Sequence, residues 1–413
     1  MGRHSEHQMR TLLIVAMLLA VPSAGVGEDS PSSIFQASET AGIRRRSDVV
    51  STSFQLNAAV TPKTNFRLLR NGDPIPAQFF VGSAVGSSGP TVFVDFVDNF
   101  GPFEKREYRI EQGEDVTPLT RKSGFRLRET DEAFVVSNRD AIEWTIRKDL
   151  KGLFTFDHLT KELTYVSANS TGLFFRLDSA SVTRFDQQKP DRILVVRTGP
   201  VASALRFEYD NWPPGRSSSL DLEFFATKSW VYASWQIGPG LQALSELGAE
   251  LQLELTGREK LIDFAGGDFV YTTVRNGQVA RLQAGPRRAT GHVPWGVFHD
   301  TSAGSLPFVV SHPEAVRRST AAAGWAHVMD DTRCSAISID EFAEGTEDRI
   351  EIDHSGRLTL GRRIPDGSRL RTDSAKFEFA IHFVSMPVHI GARTSPQAMA
   401  APIEVTWRTE ESK

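Results

Sequence analysis

Two stretches of this sequence concentrate side chains able to move a proton or grip a ligand. The first runs from Gly291 to Asp300 and carries His292, Trp295 and His299 in a setting rich in Gly and Pro that reads as a loop. Loops carried on rigid sheets often hold function. Imidazole titrates near neutrality and serves readily as general acid or base, and an indole face can stack on a ligand ring. A plainer reading makes Trp295 a core anchor and the two histidines surface groups bonded to water. The second stretch, Trp325 to Arg333, places Trp325, His327, Asp330, Asp331 and Arg333 within one expected hairpin. Arg333 has the fork that holds a carboxylate at two points, while the Asp pair reads most simply as a turn former. Calcium on those two Asp residues is chemically open, but the ligand spacing and central Gly of an EF-hand loop are absent, so no metal or other cofactor is expected. The candidate catalytic residues are therefore His299, His327 and Arg333, and the candidate ligand-binding residues are His292, Trp295 and Trp325.

A third group, Arg147, Lys148, Asp149 and Lys151 with Asp157, His158 and Tyr165, offers base-like side chains near a hairpin. Charges there ordinarily keep a sheet edge soluble. His382 falls on the Lys376 and Glu378 face of its strand, opposite Phe377, Phe379, Ile381 and Phe383, which places it in solvent or a groove. No Gly-x-Ser-x-Gly elbow, His-Glu-x-x-His helix, phosphate-binding loop or zinc-type cysteine array occurs. Cys334, in the strand-like Cys-Ser-Ala-Ile-Ser-Ile, reads as a small buried apolar residue.

The elements that must position these groups are strands. From Asn57 onward short apolar-polar alternations recur between Gly, Pro, Asn and Asp, the pattern of a sandwich or barrel. Leu220-Asp221-Leu222-Glu223-Phe224 and Arg349 to Asp353 put their apolar side chains on one face. Thr91 to Val97 and Trp230 to Ile237 are apolar on both faces and should lie centrally, covered on both sides. Helices are expected only over His312 to Ala323 and Ser395 to Ala400. Gly, Pro, Asp and Lys interrupt the alternation between Gly113 and Ser123. The expectation is thus an all-β chain: a small β-barrel-like domain over 56–122, then a large two-sheet β-sandwich, a supersandwich, over 123–409.

Ahead of these, Arg3 and Arg10 precede the apolar run Leu12 to Val21, which ends in Pro22-Ser23-Ala24-Gly25. A run of about ten residues is well short of the roughly 20 that span a bilayer, so 1–25 reads as a secretory signal peptide, with no membrane segment after cleavage. Residues 26–55 read as a disordered leader. Export implies a secreted or periplasmic protein, and with a single cysteine it must hold its fold without an internal disulfide. The balance of 47 basic and 51 acidic residues creates no global field for nucleic acid or an anionic membrane. Any charged ligand must be recognised locally.

Several segments, taken in order, resemble one family. They are Asn71 to Phe79, Val94-Asp95-Phe96 with Gly101 to Tyr108, Arg197-Thr-Gly-Pro-Val201, Ala323 to His327 with Ile339 to Phe342, and Lys376 to Phe383. Together they resemble the N-terminal barrel and central sandwich of the exo-rhamnogalacturonan lyases, over about Asn57 to Trp407. The resemblance implies a polysaccharide or oligosaccharide partner of acidic, pectin-like type, cleaved by β-elimination. That reaction needs a base for the C5 proton, a group stabilising the carboxylate and an acid for the leaving oxygen. Complete members of that family continue into a helical toroid, for which this sequence has no helical repeat. A separate helical-domain subunit, or a non-catalytic carbohydrate-binding or accessory role, is therefore also expected.

Overall fold

The computed structural model describes residues 33–56, 61, 63–82, 90–177, 182–184, 188–240, 244–256, 260–264, 270–285, 295–310, 322–364, 374–384, 398–399 and 401–408. The segment 1–25 and the expected helix His312 to Ala323, apart from its last two residues, lie outside them, as does most of Ser395 to Ala400. Among the described residues the chain is all-β, with every strand pairing antiparallel, and it builds a larger and a smaller hydrophobic core together with a third, minor cluster that includes Phe225, Trp230 and Met399.

The smaller core lies between a five-stranded sheet, ordered Glu404–Trp407, Ser33–Ser38, Lys105–Gly113, Asn65–Arg70, Asp73–Ile75, and a three-stranded sheet ordered Arg45–Gln55, Thr91–Phe100, Ala77–Val81. Phe35, Phe66, Val94, Phe96 and Tyr108 fill it. The period of two explains the central strand of the smaller sheet. Val92, Val94 and Phe96 point into this core, while Asp95 points the other way and is nonetheless fully buried. Thr91–Phe100 is therefore covered on both sides, as its composition implies. Residues 33–38 and 45–55, read from sequence as part of a disordered leader, are strands of this unit. Their apolar residues are spread among Ser, Arg and Asp, and only pairing with Lys105–Gly113 and Thr91–Phe100 makes a face of them.

The larger core is a giant sandwich. One layer is a nine-stranded sheet ordered Arg192–Arg197, Ala202–Tyr209, Ser218–Phe225, Trp230–Ile237, Ala375–Val384, Cys334–Ile339, Trp325–Met329, Lys260–Phe264, Val270–Val274. The opposing layer joins an eight-stranded sheet, which includes Leu244–Gln252, Val279–Ala284 and Trp295–Thr301, to a five-stranded sheet spanning Phe125 to Val166. A bridge between Val166 and Leu253 connects the two. Aromatic rings span the layers, with Phe156 stacked on Phe383 at 4.3 Å and Trp144 tilted against Phe224 at 5.5 Å. Pairs of this kind add to the hydrophobic gain of burial.

The small unit sits on the outer face of the nine-stranded sheet. Gln78 accepts from the backbone N–H groups of Val201 and Ala202 at 3.0 and 3.1 Å and donates to the Ala202 carbonyl at 3.0 Å. Arg197 donates to Asp95 at 2.8 Å and to Glu223 at 2.6 Å. Arg45 donates to Asp48, to Glu39 and to the carbonyls of Ala398 and Ala401, pinning the returning C-terminal segment. Removing the cation of such a buried pair strands a carboxylate in an apolar interior. Arg197→Met is expected to cost about 3–5 kcal/mol of unfolding free energy in urea, part of it recovered in Arg197→Met/Asp95→Asn. A loss under about 0.5 kcal/mol, the range of an ordinary surface change, would refute the structural role of this contact.

Candidate functional site

Alternation along the strands of the nine-stranded sheet sends Leu222, Phe224, Val231, Phe377, Phe379 and Ile381 into the large core. The polar partners then share the opposite face. Register sets them in rows. Asp221, Ser234 and Glu378 are aligned, Glu223 lies beside Tyr232, and Trp230 beside His382. The last row continues through Ala336 to His327 and Asp263.

Where the small unit with Met399, Pro402 and Ile403 covers part of this face, a cavity of about 280 Å³ is enclosed. Its walls include Asp48 and Ser51 from the small unit, Asp221, Glu223, Asp340 and Glu378 from the sheet, and the rings of Phe225, Trp230 and Tyr232. Most of these acids are matched. Arg206 holds Asp221 at two points, 2.7 and 2.8 Å, Arg197 holds Glu223, and Lys376 lies 2.6 Å from Glu378. Asp340 differs. Burial raises its pKa, and the charge and hydrogen bond of Glu378 raise it further. Burial also raises Glu223 and lowers Lys228, the latter opposed by Asp48. The imidazole of His382 is pushed down to about 3, first by burial and then by the charges of Lys228 and His327. It is therefore neutral at ordinary pH. The cavity presents hydroxyl-binding oxygens beside aromatic rings.

The residues singled out from sequence do not converge on this cavity. His292 lies outside the described residues. Trp295 is packed in the large core and so is an anchor rather than an open stacking platform. His299 shares its face, opposite Ala280, and its Nε2 hydrogen-bonds Thr272 Oγ1 across the two layers of the sandwich. Burial lowers its pKa. The loop expected to hold Trp295 and His299 is instead, from Trp295 onward, a strand of the eight-stranded sheet. Trp325 and His327 are on the outer face of the other sheet, each 2 % exposed, with their rings 5.7 Å apart and His327 Nδ1 3.6 Å from Asp263. They are neighbours of the site's rows, but neither lines the cavity. Arg333 sits at the hairpin turn, donating to the Thr164 carbonyl at 3.0 Å. Asp330 is a turn clamp: burial would raise its pKa, but the N–H groups of Thr256, Thr332 and Arg333 outweigh that and lower it. The Asp pair thus belongs to the turn, and among the described residues no group of three or more His, Cys, Asp or Glu could hold a metal ion.

Arg147 is held by Asp149 and Lys148 by Glu129, the structural roles expected of a hairpin. The residues that do line the cavity were only half visible in sequence. Asp221 and Glu223 follow from the alternation of their strand. Trp230, Tyr232 and Asp340 required knowing that the small unit covers this face.

No protein-family model matches the sequence, and no curated protein matches it. Among solved structures, the chain is similar to a protein of glycosyl hydrolase family 38 from Enterococcus faecalis. That match has a TM-score of 0.59 at 10 % identity, covering 92 % of this chain and 47 % of the other. It is also similar to an alpha-mannosidase from Enterococcus faecalis V583, with a TM-score of 0.55 at 10 % identity, covering 92 % and 46 % respectively. The chain thus spans about half the length of those proteins, and the likeness is one of fold.

A pH dependence follows from the carboxyl pair. Because the folded pKa of Asp340 lies above its ordinary value of 3.8, the folded state binds the extra proton. Its stability is greatest below that ordinary value, and it falls as pH rises from there through the raised pKa. Asp340→Asn keeps a donor to Glu378 and abolishes this fall. Urea midpoints measured across pH should show the variant gaining on the wild type toward neutrality. Parallel curves would show that the pair is not coupled.

Proposed function

We propose that this is an exported carbohydrate-binding protein, secreted or periplasmic, whose junction cavity receives one sugar ring of an oligosaccharide or polysaccharide. The observation that carries the reading is the cavity's composition: carboxylate and hydroxyl oxygens around aromatic rings, in a volume at the small end of ligand pockets. Sugar hydroxyls pair with such oxygens, and the apolar faces of the ring pack on aromatics. The fold adds support, since one similar structure is a glycosyl hydrolase family 38 protein and another an alpha-mannosidase. So does the order of the motifs that resemble the exo-rhamnogalacturonan lyases.

Binding takes precedence over cleavage of a pectin-like polymer by β-elimination. Elimination calls for a base and a carboxylate-gripping cation around one C5 atom. His299 and His327 are on different sheets, and Arg333 is engaged at a turn. Among the described residues the cavity is lined by five acids and by Lys228 alone of the lysines and arginines, a poor reception for a uronate ring but a suitable one for a neutral ring.

Titration calorimetry with neutral oligosaccharides of mannose, galactose and rhamnose checks this. Binding of at least one is expected, with an affinity loss of about tenfold in Glu378→Ala, the worth of one or two hydrogen bonds to a charged group. Incubation with rhamnogalacturonan should give no rise in the ultraviolet absorbance of unsaturated products. A rise would favour the lyase, and absence of binding to every sugar would defeat the proposal.

A further inference from the structure

Beside the sugar cavity lies a second one, of about 320 Å³, of opposite character. Among the described residues, Arg44, Arg45, Arg46 and Lys228 line it with a single acid, Asp48, and it shares Asp48, Lys228 and Trp230 with the first cavity. The partition between them is the Lys228–Asp48 pair, 3.8 Å apart, with the Lys228 ammonium 5.0 Å from the centroid of the Trp230 ring. In a chain whose formal net charge is −4, four cations around one cavity are a local concentration rather than a sample of the surface.

The backbone is shaped to present them. Arg45 pairs with Phe100 and Asp48 with Asp98, so the strand carries one residue more than its partner between these positions. Such a bulge re-aims side chains. Ser47 adopts φ 47° within it, and its N–H is held by Asn99 Oδ1 at 2.7 Å. The consequence is that Arg45 turns inward to Glu39 and Asp48, while Arg44 and Arg46 stay exposed on either side of it. Neither forms an ion pair among the described residues. The carbonyl of Arg46 accepts from Lys228 Nζ at 3.1 Å, which holds that ammonium at the wall common to both cavities.

Arg44 and Arg46, exposed and without ion pairs among the described residues, stand with the Lys228 ammonium around this cavity. Arginine forks and an ammonium are donors suited to an oxyanion.

We propose that this base-lined cavity binds an oxyanion, a carboxylate or a sulfate ester, on the sugar unit adjoining the one held in the acid-lined cavity. The ligand is then a glycan in which a neutral ring neighbours a charged one, and the two cavities read that sequence by sign. The inference rests on the sugar-binding reading and deepens it.

The test uses the full mature chain, with three probes titrated at low and high salt: a short rhamnogalacturonan oligosaccharide, in which neutral rhamnose alternates with galacturonate, its methyl ester, and a galactan oligosaccharide sulfated on one unit. At least one charged probe should bind about tenfold or more tightly than the ester at low salt, with the advantage shrinking as salt rises. In Arg44→Ala/Arg46→Ala the advantage should vanish while affinity for the ester is kept. Both arginines are exposed, and a melting curve matching the wild type verifies that the fold is intact. Whichever charged probe binds more tightly identifies the oxyanion's source. Equal wild-type affinities for charged and esterified probes, or a double variant that keeps the preference, overturn the subsite and leave the sugar cavity standing. Binding of none of the probes removes both.

Discussion

Everything in the site depends on one buried guanidinium. Arg197 stands between Asp95, which the small unit buries completely, and Glu223, which forms part of the cavity wall. Two carboxylates brought together without it would repel in a poorly screened interior, and burial already raises the pKa of both. With it, the small unit can press a charged strand onto a polar sheet face and enclose space there. The cavity is a by-product of satisfying that face. Asp221 finds Arg206 and Glu378 finds Lys376, while Asp340 has its pKa raised by burial and by its neighbour Glu378.

The sheet explains why the enclosure is chemically rich. A nine-stranded layer with an apolar inner face must place its alternate residues outside, and antiparallel register sorts them into rows without regard to their distance along the chain. Glu378 and Ser234 are neighbours although more than a hundred positions apart. Water would ordinarily receive such residues. Here a second unit receives part of them, which converts a solvated sheet surface into a walled site.

Much of the architecture was legible because strand alternation is a local property. Thr91–Phe100 and Trp230–Ile237 announced their double coverage through apolar residues on both faces, and the alternation of Leu220 to Phe224 named Asp221 and Glu223 as outward. The leader reading of 33–55 missed two strands because their evidence is non-local: Phe35 means little until it stacks on Tyr108 at 5.2 Å. The candidate clusters failed to assemble for a related reason. Closeness in sequence placed Trp295 and His299 together, yet a strand that faces the core carries its polar residue to the sandwich rim. His299 became an interlayer tie. Density of reactive side chains along a chain is a weak guide when each strand divides its neighbours between two faces.

The strand Glu404–Trp407 closes the small unit by pairing with Ser33–Ser38, and Trp407 packs on Phe35 at 4.8 Å and on Phe54 at 5.2 Å. The giant sandwich is therefore, topologically, an insertion within the small unit. A strand made early waits for one made more than three hundred residues later, so the small core is completed last in the order of synthesis. Pairing of such separation is slow to form. Until it does, the cover over the polar sheet face is unfinished, and the cavity beneath it forms only once the two ends of the described chain have met.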